Sequence, residues 1–199
     1  MKKIFVLTFS LLLLFVIKVN GQTYDKPING VTVGYYNDKF GSHGMRAGYE
    51  IPVWQSLRQG IDPANIKHAF ILKANINFYN HKRHHTGLSV NVTIGYRYTS
   101  KSGLIIEPLH VGTGYLHSFL NGTTYEATPE GGFKEVKLAG NSTLILPYIQ
   151  LIGLGFDFRQ KSNLPLGFMM SLDPYFQHSV NTQTRIRLAT PVTMTYYFK

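Results

Sequence analysis

The stretch Leu88-Ser89-Val90-Asn91-Val92-Thr93-Ile94-Gly95-Tyr96-Arg97-Tyr98 decides how this chain folds. Successive side chains of an extended strand point to opposite faces. Leu88, Val90, Val92, Ile94, Tyr96 and Tyr98 therefore share one face, and Ser89, Asn91, Thr93, Gly95 and Arg97 share the other. Wound as a helix, both sets would be scattered around the axis, so the period of two selects a strand with unlike faces.

The same period runs through most of the chain. Phe70, Leu72, Ala74, Ile76 and Phe78 oppose Lys73, Asn75 and Asn77, and Met45, Ala47, Tyr49, Ile51 and Val53 oppose Arg46, Gly48 and Glu50. In Leu164 to Phe176, Leu166, Phe168, Met170, Leu172 and Phe176 oppose Gly167, Ser171 and Asp173. In the last segment Ile186, Leu188, Val192, Met194, Tyr196 and Phe198 oppose Arg185, Arg187, Thr193 and Thr195. Less regular strands are predicted at Val31 to Tyr36, Leu104 to Phe119 and Leu144 to Arg159. Glu107-Pro108 marks a bulge in the second of these, because proline cannot donate to a ladder. The third is apolar on both faces around Ile149 to Ile152, which leaves its register open. Turn clusters such as Gly41-Ser42-His43-Gly44 separate the strands. The prediction is eight antiparallel strands, or ten if the long connection 120–141 holds another hairpin.

Alternating strands build either a soluble barrel with the apolar face inward or a membrane barrel with that face outward. Most of these segments reach the roughly 9–11 residues that a tilted strand needs to cross a bilayer. Arg46, Glu50, Lys73, Arg97, Asp157, Asp173, Arg185 and Arg187 share parity with small polar residues. In a membrane barrel they would form a charge network in the lumen, where both signs are needed for pairing. Aromatics near strand ends (Phe78 with Tyr79, Tyr96 with Tyr98, Phe156 with Phe158, Tyr196 with Phe198) suggest girdles at the two lipid–water boundaries. The expected fold is thus all-β, a transmembrane up-and-down barrel.

Composition agrees. In 199 residues only 15% are charged, against 44% hydrophobic and 14% aromatic, and there is no cysteine. That excludes a disordered chain, a disulfide scaffold and a thiolate site. Lys2 and Lys3 before an apolar run from Ile4 to Ile17, with Val19-Asn20-Gly21 after it, read as a secretory signal peptide over 1–21. The run is too short for the roughly 20 residues of a spanning helix. Cleavage after Gly21 leaves a barrel domain over 22–199 and removes Lys2, Lys3 and Lys18, lowering the net charge from +10 to +7. With both chain ends periplasmic, the connections 39–44, 80–86, 120–141 and 179–184 face outward, and 55–67, 99–103 and 160–163 face the periplasm. The expected location is the outer membrane of a Gram-negative cell.

Three further pieces are Gly112-Thr113-Gly114-Tyr115-Leu116-His117-Ser118-Phe119, Gly153-Leu154-Gly155-Phe156-Asp157-Phe158 and the terminal Thr195-Tyr196-Tyr197-Phe198-Lys199. With them the mature chain resembles the small outer-membrane β-barrel proteins of Bacteroidetes-type bacteria. The resemblance implies the fold, the location and a terminal aromatic read by the barrel-assembly machinery. Here that aromatic is the penultimate Phe198. The resemblance carries no activity and no functional residues.

Strand geometry discriminates among the candidate sites. An acyl hydrolase of lipid A or phospholipid would need Ser beside His at the rim. His117-Ser118 and His178-Ser179 are adjacent in sequence and so point to opposite faces while extended. His110 shares parity with Ser118 but lies roughly 26 Å away along the strand. The cluster His81, Lys82, Arg83, His84 and His85 suits lipopolysaccharide phosphates better than a metal, which Lys82 and Arg83 would repel. Basic residues are too dispersed for nucleic acid, and Gly153-Leu154-Gly155 lacks the third glycine of a dinucleotide fingerprint. No cofactor or metal is expected. The favoured reading is a structural or surface-interaction role with a closed lumen and no catalysis. Acyl hydrolysis and a secreted ligand-binding barrel are the alternatives.

Overall fold

The alternation folds as one continuous antiparallel ladder. The computed structural model describes residues 29–38, 41–57, 67–81, 85–121, 124–136, 140–162, 164–178 and 184–198. Strands β1 (Asn29–Asp38), β2 (Ser42–Leu57), β3 (Lys67–His81), β4 (His85–Thr99) and β5 (Leu104–Leu120) pair in sequence order. β8 (Gly140–Gln150) and β9 (Ile152–Asp157) together form the sixth wall strand, between β5 and β10 (Leu166–His178). β11 (Thr184–Ala189) and β12 (Val192–Phe198) form the eighth. β1 then pairs with β12 from Asn29↔Phe198 to Tyr35↔Val192, and the ring closes. A closed ring leaves no strand edge unpaired, which is what a sheet in lipid requires.

The long connection does hold a hairpin, β6 (Thr124–Ala127) with β7 (Phe133–Val136), but it forms a sheet of its own. β5 pairs directly with β8, from Phe119↔Gly140 to His110↔Gln150. The wall therefore has eight strands. The short helix α1 (Arg159–Ser162) turns the chain from β9 to β10. The signal segment 1–21 and the greater part of the 55–67 connection lie outside the described residues, although β2 and β3 are longer than the sequence suggested.

Irregularities fall where the alternation weakens. Between Tyr96↔Leu109 and Tyr98↔Ile106 strand β5 carries an extra residue, the bulge expected at Glu107-Pro108. Extra residues also sit at Val53, where the register steps from Pro52↔Ile71 to Trp54↔Phe70, and at Leu146-Pro147. Each bulge reverses which parity faces in. The break at Leu151 does so again, and this explains the stretch Ile149 to Ile152: Gln150 and Gly153 point inward while Leu151 and Ile152 point out.

Burial is inverted relative to a water-soluble barrel. Met45 is 72% exposed and Val33 56%, with Ile76, Ile94, Val111, Phe168 and Met194 similarly open on the outside. The buried set is dominated by Arg46, Glu50, Asn77, Arg97, Glu107 and Asp173. A ligand-binding barrel in water needs the opposite arrangement. Trp54, Phe70 and Tyr96 pack against one another on the outer wall near the end that holds the chain termini, tilted and edge-on, with successive ring centroids 5.8 Å apart. One member of the expected girdle belongs elsewhere: Tyr79 is fully buried inside the barrel, because it shares parity with Asn75 and Asn77. Gly87 makes room for it, since a Cβ there would come within 2.3 Å of the Tyr79 ring.

Candidate functional site

The bore is filled by three tiers of paired polar groups. Nearest the terminal end, Arg97 from β4 grips Glu50 of β2 with both terminal nitrogens (2.8 and 2.7 Å) and donates through Nε to Glu107 of β5 at 2.7 Å. The other Glu107 oxygen accepts from Lys73 at 2.5 Å and from Gln150 at 2.6 Å. His110 Nε2 lies 3.3 Å from that same oxygen. Two cations and two carboxylates thus share one network, and Glu107 is its hub. Below it, Arg159 of α1 forks onto Asp157 (2.8 and 2.7 Å) and lays its guanidinium 3.5 Å from the Tyr197 ring centroid, capping the bore.

The middle tier centres on Arg46, which donates to Asn77 at 2.6 Å, Tyr148 at 2.7 Å and Asp173 at 3.1 Å. Tyr148 donates in turn to Asp173 at 2.7 Å. The Tyr36 ring lies 5.0 Å from the guanidinium, within cation–π range. At the loop end, Arg187 donates to Asp38 at 2.8 Å and to Gln177 at 2.6 Å, and Tyr175 donates to Asp38 at 3.0 Å. A cavity of about 20 Å³, room for about one water molecule, separates the lower two tiers; its walls include Thr32, Asn75, Ser171, Thr193 and Thr195.

Of the eight charges singled out in sequence, Glu50, Lys73 and Arg97 meet in one tier, and Arg46 and Asp173 in another. Asp157 and Arg187 are each buried with a separate partner. Arg185 is exposed near the loop end, outside these ion pairs. The reading missed Asp38, Glu107 and Arg159, which complete the pairs, and the phenols of Tyr36, Tyr148 and Tyr175. Asp38 and Tyr36 share parity with Thr32 and were detectable. Glu107 was taken as a bulge marker, which it is, but the bulge also turns its carboxylate inward.

The rim candidates separate as strand geometry requires. His117 faces out from β5, and Ser118 faces the interior side of the wall. His178 is exposed on the outer face, donating through Nε2 to Leu146 O at 2.6 Å, with Thr184 Oγ1 3.1 Å from its Nδ1. Ser179, Lys82, Arg83 and His84 lie outside the described residues. His81 and His85 stack with ring centroids 6.0 Å apart at the loop-end mouth. Among the described residues no group of three or more His, Cys, Asp or Glu is placed to hold a metal ion. His110, buried beside Glu107, belongs to the lumen. One arrangement was not foreseen: His117 Nδ1 lies 2.8 Å from Ser142 Oγ on the neighbouring strand.

No family model and no curated protein sequence matches the chain. Among solved structures it is similar to Ail, the attachment invasion locus protein of Yersinia pestis, at 9% identity and TM-score 0.44, covering 87% of this chain and 99% of that one. It is similar to neisserial surface protein A at 8% identity and TM-score 0.48, covering 86% and 96%. The N-terminal β-barrel domain of Pseudomonas aeruginosa OprF gives 14% identity and TM-score 0.42, covering 87% and 100%.

Proposed function

We propose that this chain is an integral outer-membrane protein that serves the envelope through its outer wall and loops, with its bore sealed. One observation carries the reading: the wall presents a continuous apolar face outward while arginines and carboxylates pair within. Transferring such a wall to water would leave a large apolar surface exposed, whereas lipid takes it at no cost. In this reading residues 1–21 are removed on export and the barrel spans 22–199. The chain ends and α1 face the periplasm, and the β6–β7 hairpin faces outside. Phe198, paired with Asn29 where the ring closes, is the aromatic that the assembly machinery would read. The tip from His81 to His85 would contact lipopolysaccharide phosphates by charge-assisted hydrogen bonds.

Fractionation tests the reading. The protein is expected in the outer-membrane fraction, extractable only with detergent, with a mature N-terminus at Gln22 and faster gel migration before boiling than after. Recovery as a detergent-free soluble protein would overturn it.

A further inference from the structure

We propose that Ser142, His117 and Tyr115 form an acyl-transfer site on the outer wall, acting on ester-linked acyl chains of outer-leaflet lipid. His117 and Tyr115 stand two residues apart on β5 and so share its outer face. Ser142 on β8 is the register partner of His117. Tyr115 OH donates to Ser142 Oγ at 2.6 Å, and His117 Nδ1 lies 2.8 Å from that same oxygen. With the tyrosine proton on Oγ, the serine's own proton is free to point at Nδ1. This is a hydroxyl in contact with a base, the minimum for an activated nucleophile.

The surroundings favour that role. Phe119 packs edge-on to the imidazole with centroids 4.5 Å apart, fixing its orientation. Gly140 leaves the far nitrogen open, because a Cβ there would stand 2.7 Å from His117 Nε2. Ser142 lies two residues inside the loop end of β8, with the exposed Leu144 two residues on along the same outer face and the exposed Leu88 across β5, opposite His117. In the proposed orientation this places Ser142 on the half of the wall that meets the outer leaflet.

The chemistry balances without a cofactor. Ser142 Oγ attacks the ester carbonyl carbon while its proton passes to His117 Nδ1. Tyr115 can turn its hydroxyl to the developing oxyanion. The tetrahedral adduct collapses by breaking the ester C–O bond, and the departing alkoxide takes the proton from His117. Water, giving a proton to the same imidazole, then attacks the acyl-serine carbonyl; the ester C–Oγ bond breaks, Ser142 Oγ takes that proton back from His117, and a fatty acid is released.

The test uses the full-length mature protein in detergent micelles, with folding checked by gel migration before and after boiling. A fluorophosphonate probe is expected to label it on Ser142, as located by peptide mass. Labelling should vanish in Ser142→Ala, fall at least about 100-fold in His117→Gln, as for loss of a general base, and fall less in Tyr115→Phe. Acyl-labelled phospholipid and lipid A are supplied in separate arms, and fatty-acid release from either supports the site and identifies the source. Folded protein that neither takes the probe at Ser142 nor releases acyl chains overturns the proposal. So does release that survives Ser142→Ala.

Discussion

The two ends of the bore are stabilised by different designs. At the terminal end Glu50, Arg97, Glu107 and Lys73 form a branched network in which one carboxylate serves several donors. At the loop end Arg187 and Asp38 form a single pair buttressed by neutral groups, Tyr175 and Gln177. A branched network cannot lose one member without stranding charges of the other sign, and a stranded buried charge costs far more than a lost neutral contact. An isolated pair can be removed as a unit. The lower tier thus ties four wall strands together as one unit, while the upper one is exchangeable.

The comparison breaks most readily at Glu107. Glu107→Gln should lower unfolding stability in detergent by about 3–5 kcal/mol, because Lys73 and Arg97 then share Glu50 alone; urea titration reads the loss, and a loss below 1 kcal/mol would abolish the distinction. Asp38→Asn should cost about 3 kcal/mol, the low end of that range, because buried Arg187 loses its carboxylate but keeps Gln177 as an acceptor. The double change Asp38→Leu with Arg187→Met should recover most of that loss. Glu107→Leu with Lys73→Met should not, since Arg97 Nε and Gln150 Nε2 are left without the acceptor they share, although Glu50 still holds the other Arg97 nitrogens. A double-mutant cycle at each end measures this contrast. Tyr148→Phe in the middle tier should cost about 1.5–3 kcal/mol, because its hydroxyl both donates to Asp173 and accepts from Arg46. Deleting 124–136 should leave the urea midpoint of the barrel unchanged, because β6 and β7 pair only with each other.

Much of this design was legible in the sequence. The parity of Arg46, Glu50, Lys73 and Arg97 put them inside because period-two alternation is local and robust. The tyrosines were not legible by composition, since Tyr79 and Tyr148 count as apolar yet end in a hydroxyl that suits a polar bore. Bulges hid the rest. Val53, Leu146-Pro147 and Leu151 each reverse parity, and nothing local to a strand announces all of these reversals. The contact between His117 and Ser142 spans 25 residues and crosses the β6–β7 excursion. Only the pairing of β5 with β8 reveals it, because the serine in reach of His117 is its cross-strand partner and not its neighbour in sequence.

Three cross-braced tiers and the Arg159 cap also determine how the protein behaves electrically. An ion entering the bore would have to part Arg97 from Glu50 and Arg46 from Asp173 in succession, and neither leaves a hydrated lane behind it. Reconstituted in a planar bilayer, the barrel should conduct no steady current. A cell could then crowd its surface with copies without short-circuiting its permeability barrier.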